Sequence, residues 1–117
     1  MTSYVPDIGD VVWLQFSPQA GREQLGHRPA LVLSPLKYNE KTHLMLCCPM
    51  TTKIKGYPFE VLITEKDGEK SAVLSDQVKS LDWVQRRAKF KHKVSHRELQ
   101  EVLQKIKALL DIIHHNT

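Results

Sequence analysis

Cysteine is scarce in this chain of 117 residues: Cys47 and Cys48 are the only two, and they are neighbours. On a strand, adjacent side chains point to opposite faces, and nothing nearby supplies the spaced Cys or His residues of a zinc site. Both cysteines are therefore read as reduced packing residues, and no metal is expected. Long apolar runs are also missing; the uncharged stretches fall far short of the roughly 20 residues that span a bilayer. The start, Met1-Thr2-Ser3-Tyr4-Val5-Pro6-Asp7, is neither basic nor apolar, so no secretion signal is read and a cytoplasmic protein is expected. Aromatic residues make up 7% without clustering, which counts against an aromatic-lined binding groove. Repeats, low-complexity segments and long linkers are absent, so residues 1–117 are expected to form one domain.

What is present suits an ordinary globular core. Hydrophobic residues are 41% and charged residues 26%, a balance that needs no staples at this length. The formal charge of +4 favours an anionic partner, nucleic acid or an acidic protein segment, though only weakly.

Most of the chain reads as short strands joined by turns. Val11–Phe16 is β-branched and aromatic, and Ala30–Leu33 is a continuous apolar run suited to a strand buried on both faces. Leu44–Met50 is a further strand, expected to end around Pro49, and Phe59–Ile63 and Ser71–Leu74 flank a Lys66-Asp67-Gly68-Glu69 turn. Val78–Trp83 and Ala88–Val94 can each form a strand. Leu36–Thr42 is polar, with a turn expected at Asn39-Glu40-Lys41. The end of the chain differs. Ser95 and Glu98 fit a capping box and Val94 and Leu99 a hydrophobic staple. Leu99, Val102, Leu103, Ile106, Leu109, Leu110 and Ile113 then repeat at helical spacing. The spacing predicts one amphipathic helix from about Ser95 to Ile113, its whole apolar stripe packed as core. The fold class is mainly β (α+β): a small barrel of short antiparallel strands with a carboxy-terminal helix.

The richest chemistry lies in Gly21–Pro29. Pro29 holds Arg28 in extended backbone at the mouth of a strand. Arg28 is then either a phosphate-binding cation beside a loop or a surface arginine next to a strand-opening proline. Histidine is the side-chain type suited to proton transfer near neutrality, and His27 fits a structural role equally well. Arg86–Lys93 is a basic stretch, with no acidic residue from Trp83 through Arg97. Lys89, Lys91 and Lys93 alternate. They either array cations along a phosphate backbone or protect a solvated edge strand. Tyr57 is a base-stacking platform or packs its own turn.

Gly26-His27-Arg28-Pro29-Ala30, Lys55-Gly56-Tyr57-Pro58-Phe59-Glu60 and Asp76-Gln77-Val78-Lys79-Ser80, together with Asp10–Phe16 and Pro49–Thr52, stand in the order and spacing of MazF/PemK-type toxins. The chain resembles that family from about Tyr4 to Leu110. The resemblance implies an SH3-like barrel of the CcdB/MazF/PemK kind. It also implies a homodimer and a metal-independent endoribonuclease without cofactors, cutting single-stranded messenger RNA. Cutting by the 2′-hydroxyl would leave a 2′,3′-cyclic phosphate and a 5′-hydroxyl. The implied partner is an antitoxin with an acidic, largely disordered segment. By the same resemblance Arg28 and Thr51 match catalytic residues, and Glu23 and His27 residues beside the reaction centre. Tyr57 and Gln77 match the rim over which RNA runs. Lys55, Lys89 and Lys91 are counted with them as RNA-binding. Met50 stands where some relatives carry Cys, and Asp111–Thr117 is assigned no role. Two other readings are weighed. A gyrase poison of the CcdB type shares the fold but has no use for an Arg28–Thr51 pair, and a non-catalytic SH3-like module binding RNA or peptide wants an aromatic groove.

Overall fold

A computed structural model describes residues 3–15 and 27–115, with side chains as far as residue 111. The elements are β1 (Asp10–Gln15), β2 (His27–Val32), α1 (Leu36–Thr42), β3 (Leu44–Thr51), β4 (Glu60–Thr64), β5 (Lys70–Leu74), β6 (Lys79–Asp82), β7 (Lys89–Lys93) and α2 (His96–His115). The strands pair antiparallel in the order β4-β5-β3-β2-β1-β7, with β6 added beside β3. The result is an open half-barrel whose edge strands, among the described residues, are β4, β7 and the added β6.

β3 is the strand on which the sheet turns. Its first half, Leu44–Cys47, pairs with β6, while Met50 and Thr51 pair with β5. Pro49 falls at the change of partner, where a missing backbone donor costs least. The strand was expected to end there; it continues to Thr51 because β2 and β5 hold it on either side.

The central strands are buried on both faces, as the apolar run at Ala30 implied. Val11, Leu31, Cys48, Met50, Val61, Ile63, Val73, Val94 and Val102 form one core cluster, and Val12, Leu14, Ala30, Val32, Met45 and Cys47 the other. Alternation along β3 sends Cys47 and Cys48 into different clusters, and both are free thiols.

α2 begins as its sequence dictates. The Glu98 amide donates to Ser95 Oγ at 3.1 Å, and the Ser95 amide donates back to Glu98 Oε1 at 2.9 Å. Val94 and Leu99, the staple pair, both join the first cluster. Val102 is fully buried, with Leu99 and Ile106 packed beside it. The stripe is core only in its first half, however: Leu110 is 60% exposed, because the helix runs on past the sheet it covers. Ile113 lies outside the described side chains.

Leu36–Thr42 is a helix rather than a turn. Asn39, which suggested the turn, is fully buried. Its Nδ2 donates to the carbonyls of Pro6 and Ser34, at 2.8 and 3.0 Å, and its Oδ1 accepts from Ser34 Oγ at 2.6 Å. Long-range bonds to a buried amide outweigh its local preference for turns. No helix among the described residues is long and apolar enough to cross a membrane.

Candidate active site

The site lies where the first core cluster runs out. Inward-facing positions recur every second residue along a strand, so each strand contributes its next inward residue to the rim. Val11 is followed by Trp13, Leu31 is preceded by Pro29, Val73 by Ser71, and Ile63 is followed by Glu65. Trp13, Pro29, Met50, Ser71, Glu65, Glu69 and Lys91 meet there with Arg28, Thr51, Thr52 and Lys53, around an open cleft of about 390 Å³.

Arg28 and Thr51 reach the cleft by sheet register. β2 and β3 pair as far as Ala30 opposite Pro49, and Arg28 and Thr51 each lie two residues beyond that pair, on strand ends that line one cleft. Arg28 is exposed and Thr51 half-buried. Thr51 Oγ1 accepts a hydrogen bond from the Lys53 amide at 3.0 Å, which leaves its hydroxyl proton to donate into the cleft. A guanidinium fork and a hydroxyl on neighbouring strand ends can both donate to one phosphate group.

The far wall carries charge of both signs. Lys91 is ion-paired with Glu65 and lies 3.5 Å from Glu69, and its ammonium sits 5.1 Å from the centre of the Trp13 ring. Gly68, at φ +87°, allows the tight turn that sets Glu65 and Glu69 side by side at the hairpin end. The lysines of β7 are thus not a uniform cationic face: Lys91 is committed to the hairpin and Lys93 pairs with Asp10 at 2.9 Å. Lys89 is exposed.

Other residues singled out from the sequence fall elsewhere. His27 is exposed at the start of β2, opposite Gln15, and is not among the described residues lining the cleft. Glu23 lies outside the described residues. Tyr57 and Gln77 belong to two neighbouring segments joined by a hydrogen bond from the Tyr57 hydroxyl to Asp76. That bond, more than burial, raises the Tyr57 pKa. Tyr57 also stands edge-on to Phe59, ring centres 6.3 Å apart. Lys55 is exposed, and its amide, like that of Gly56, donates to the Glu60 carboxylate, which shapes the loop. Lys53, two residues earlier, lines the cleft, as Lys91 does from the far wall.

Sequence reasoning gave Trp13, Glu65, Glu69 and Ser71 no place in the site. A signal was available. The inward series Val61, Ile63, Glu65 and Val73, Ser71, Glu69 place polar groups in step with core residues, which an exposed turn would not require. Among the described residues no group of three or more His, Cys, Asp or Glu side chains is placed to hold a metal ion.

An open antiparallel half-barrel capped by a carboxy-terminal helix is the architecture shared by solved structures of the CcdB/MazF fold. The chain belongs to the PemK-like, MazF-like toxin family of type II toxin–antitoxin systems, whose pattern matches residues 7–110. It is 51% identical over 112 residues to the endoribonuclease toxin MazF of Escherichia coli K12, covering 94% of this chain and 98% of that one. Crystal structures from Deinococcus radiodurans are similar as well. MazF alone superposes with a TM-score of 0.81 at 51% identity, covering 93% of this chain and 99% of the other. A MazE–MazF complex gives 0.82 at 46% identity, over 92% and 97%.

Proposed function

We propose that this chain is an endoribonuclease toxin that cuts single-stranded messenger RNA, with Arg28 and Thr51 as its catalytic pair. The observation that supports the reading is that both residues line one cleft, in a chain half identical to an endoribonuclease over nearly its whole length. The 2′-hydroxyl attacks the adjacent phosphorus, the 5′-oxygen leaves, and a 2′,3′-cyclic phosphate and a 5′-hydroxyl result. Charge gathers on the phosphate oxygens as the attack proceeds. Arg28 supplies the compensating fork, and Thr51 adds a second donor. Losing one such preorganised donor costs on the order of 10²–10³ in rate. The charge is met by protein groups, so the reaction is read as independent of metal and cofactor.

Tyr57, Gln77 and Lys55 form the rim along which RNA continues, and exposed Lys89 adds a phosphate contact. Lys91, counted earlier with these, is placed instead to shape the cleft. His27 and Glu23 remain supporting residues by resemblance. The protein works in the cytoplasm as a homodimer. Leu44 and Leu46 on β3, with Val78 and Val84 at either end of β6, are 37–45% exposed and supply an apolar surface for a second copy. An antitoxin with an acidic segment neutralises it, as the MazE–MazF complexes from Deinococcus suggest by likeness.

A mixed-sequence RNA incubated with the protein in excess chelator tests the reading. Discrete fragments ending in cyclic phosphate, lost in Arg28→Ala and Thr51→Ala proteins, are expected. Intact RNA at high protein concentration overturns it.

A further inference from the structure

We propose that Glu69, on the wall of the cleft facing Arg28 and Thr51, selects an amino-bearing base of the RNA over uracil. The inference rests on the ribonuclease reading and assigns part of its specificity. Arg28, Thr51 and Lys53 are donors, fit for phosphate; the hairpin wall is different. An ionised carboxylate only accepts hydrogen bonds and repels phosphate, so whatever part of the RNA faces Glu69 must offer N–H or O–H.

Glu65 is largely enclosed and paired with Lys91. Glu69 is not: its side chain is 53% exposed, and its contact with Lys91 is a looser 3.5 Å. Lone pairs on Glu69 therefore remain open to the cleft while Lys91 offsets part of the charge. An independent observation lies beside it. Ser71 lines the same wall, is only 4% exposed, and its Oγ has no hydrogen-bond partner. Buried hydroxyls are rarely left unpaired without a reason; the Ser71 oxygen sits just beneath the surface of the wall, a polar atom that a side-chain shift on binding would uncover to a base edge.

The donors of RNA then divide by base. Adenine, cytosine and guanine carry an exocyclic amine that can point at a carboxylate. Uracil offers only its ring N–H, flanked by two carbonyls that would face the Glu69 oxygens. Single-stranded bases are read on these edges, and carboxylates characteristically accept from the amine of cytosine.

The test uses 2′-O-methyl oligomers, which cannot be cut by internal attack and lack the 2′-hydroxyl as a donor. Fluorescence anisotropy compares oligo(C) and oligo(A) with oligo(U) on the wild-type protein and on Glu69→Gln, whose amide can donate to uracil carbonyls. The wild type should prefer the amino-bearing oligomers roughly tenfold, and Glu69→Gln should lose most of that preference. Matching thermal melts show that the variant folds. Equal preference in both proteins, or none in the wild type, overturns the assignment. A parallel digestion of unmodified mixed RNA reports on the nuclease reading separately: cutting by the wild type with no base preference lost in the variant defeats this inference alone, whereas no cutting defeats the reading beneath it.

Discussion

The Lys91 ammonium is held between the Glu65 carboxylate and the face of Trp13, 5.1 Å from the ring centre. Among the described residues, β7 and β4 are the two ends of the strand order β4-β5-β3-β2-β1-β7, so this pair bridges the gap between them where backbone pairing stops. Lys91 and Glu65 side chains are 13% and 14% exposed, enclosed enough that removing one partner strands the other. Lys91→Met should destabilise the protein by about 3 kcal/mol, while the Lys91→Met, Glu65→Gln double variant should recover much of the loss. Urea midpoints of the two single variants and the double complete the cycle. A Lys91→Met loss within about 0.5 kcal/mol would make the pair an ordinary surface contact.

Arg28→Lys keeps the charge and discards the fork. Because a lysine ammonium cannot present parallel donors to two phosphate oxygens, cleavage should slow by about a hundredfold. A thermal melt of the variant checks that the fold is kept. Single-turnover rates on a short RNA measure the effect; a rate within about twofold of wild type would mean that charge alone suffices.

Legibility in the sequence followed the range of the interactions. α2 was readable because its start is a local device: Ser95 and Glu98 exchange bonds three residues apart, and their side chains announce it. The β4–β5 hairpin was readable for the same reason at Asp67-Gly68. Asn39 was misread because its partners, Pro6 and Ser34, are made neighbours only by the fold. At the site, Arg28 and Thr51 were named through family resemblance, and their meeting follows from a register that no stretch of either strand displays alone. Glu69 was read only as part of a turn and Glu65 not at all, because their place beside Lys91 is set by the meeting of the hairpin with β7.

Ser95→Ala tests how far the local device matters. It removes the acceptor for the Glu98 amide and should cost about 1 kcal/mol. For a domain of this size that lowers the melting temperature by roughly 4 °C. Since α2 covers the first cluster through Leu99, Val102 and Ile106, a markedly smaller shift would show that packing alone fixes the helix start.

Cys47 and Cys48 should behave as inert core. Burial raises the Cys47 thiol to about 11, against a partial lowering by Lys79 and Arg86. Burial, with the neighbouring Cys47 and Asp76, raises Cys48 to about 12. The reactive species is the thiolate. Iodoacetamide near neutral pH should therefore leave both unmodified by mass spectrometry until urea unfolds the chain, after which two adducts appear. Labelling of the folded protein at the rate of a free thiol would contradict the enclosed positions.

Tyr4 gives the fold an alkaline limit. Its hydroxyl donates to Asp10 Oδ2 at 2.6 Å, and the same carboxylate accepts the Asp7 amide and pairs with Lys93. Burial first, then the bond to Asp10 and the charges of Asp10 and Asp7, raise the Tyr4 pKa well above its ordinary value. A raised folded-state pKa means that the unfolded chain loses this proton first. The stabilisation is complete below the ordinary tyrosine pKa of about 10 and declines as pH climbs above it, because the unfolded state then binds fewer protons. Tyr4→Phe should lose about 1.5–3 kcal/mol near neutral pH, the worth of a hydrogen bond to a charged group. Above about pH 10 its stability should fall less steeply than that of the wild type, so the two curves converge. Urea midpoints from about pH 7 to about pH 11 decide the matter. Parallel curves across that range would mean that Tyr4 ionises alike in both states, and that the alkaline limit is set by other groups.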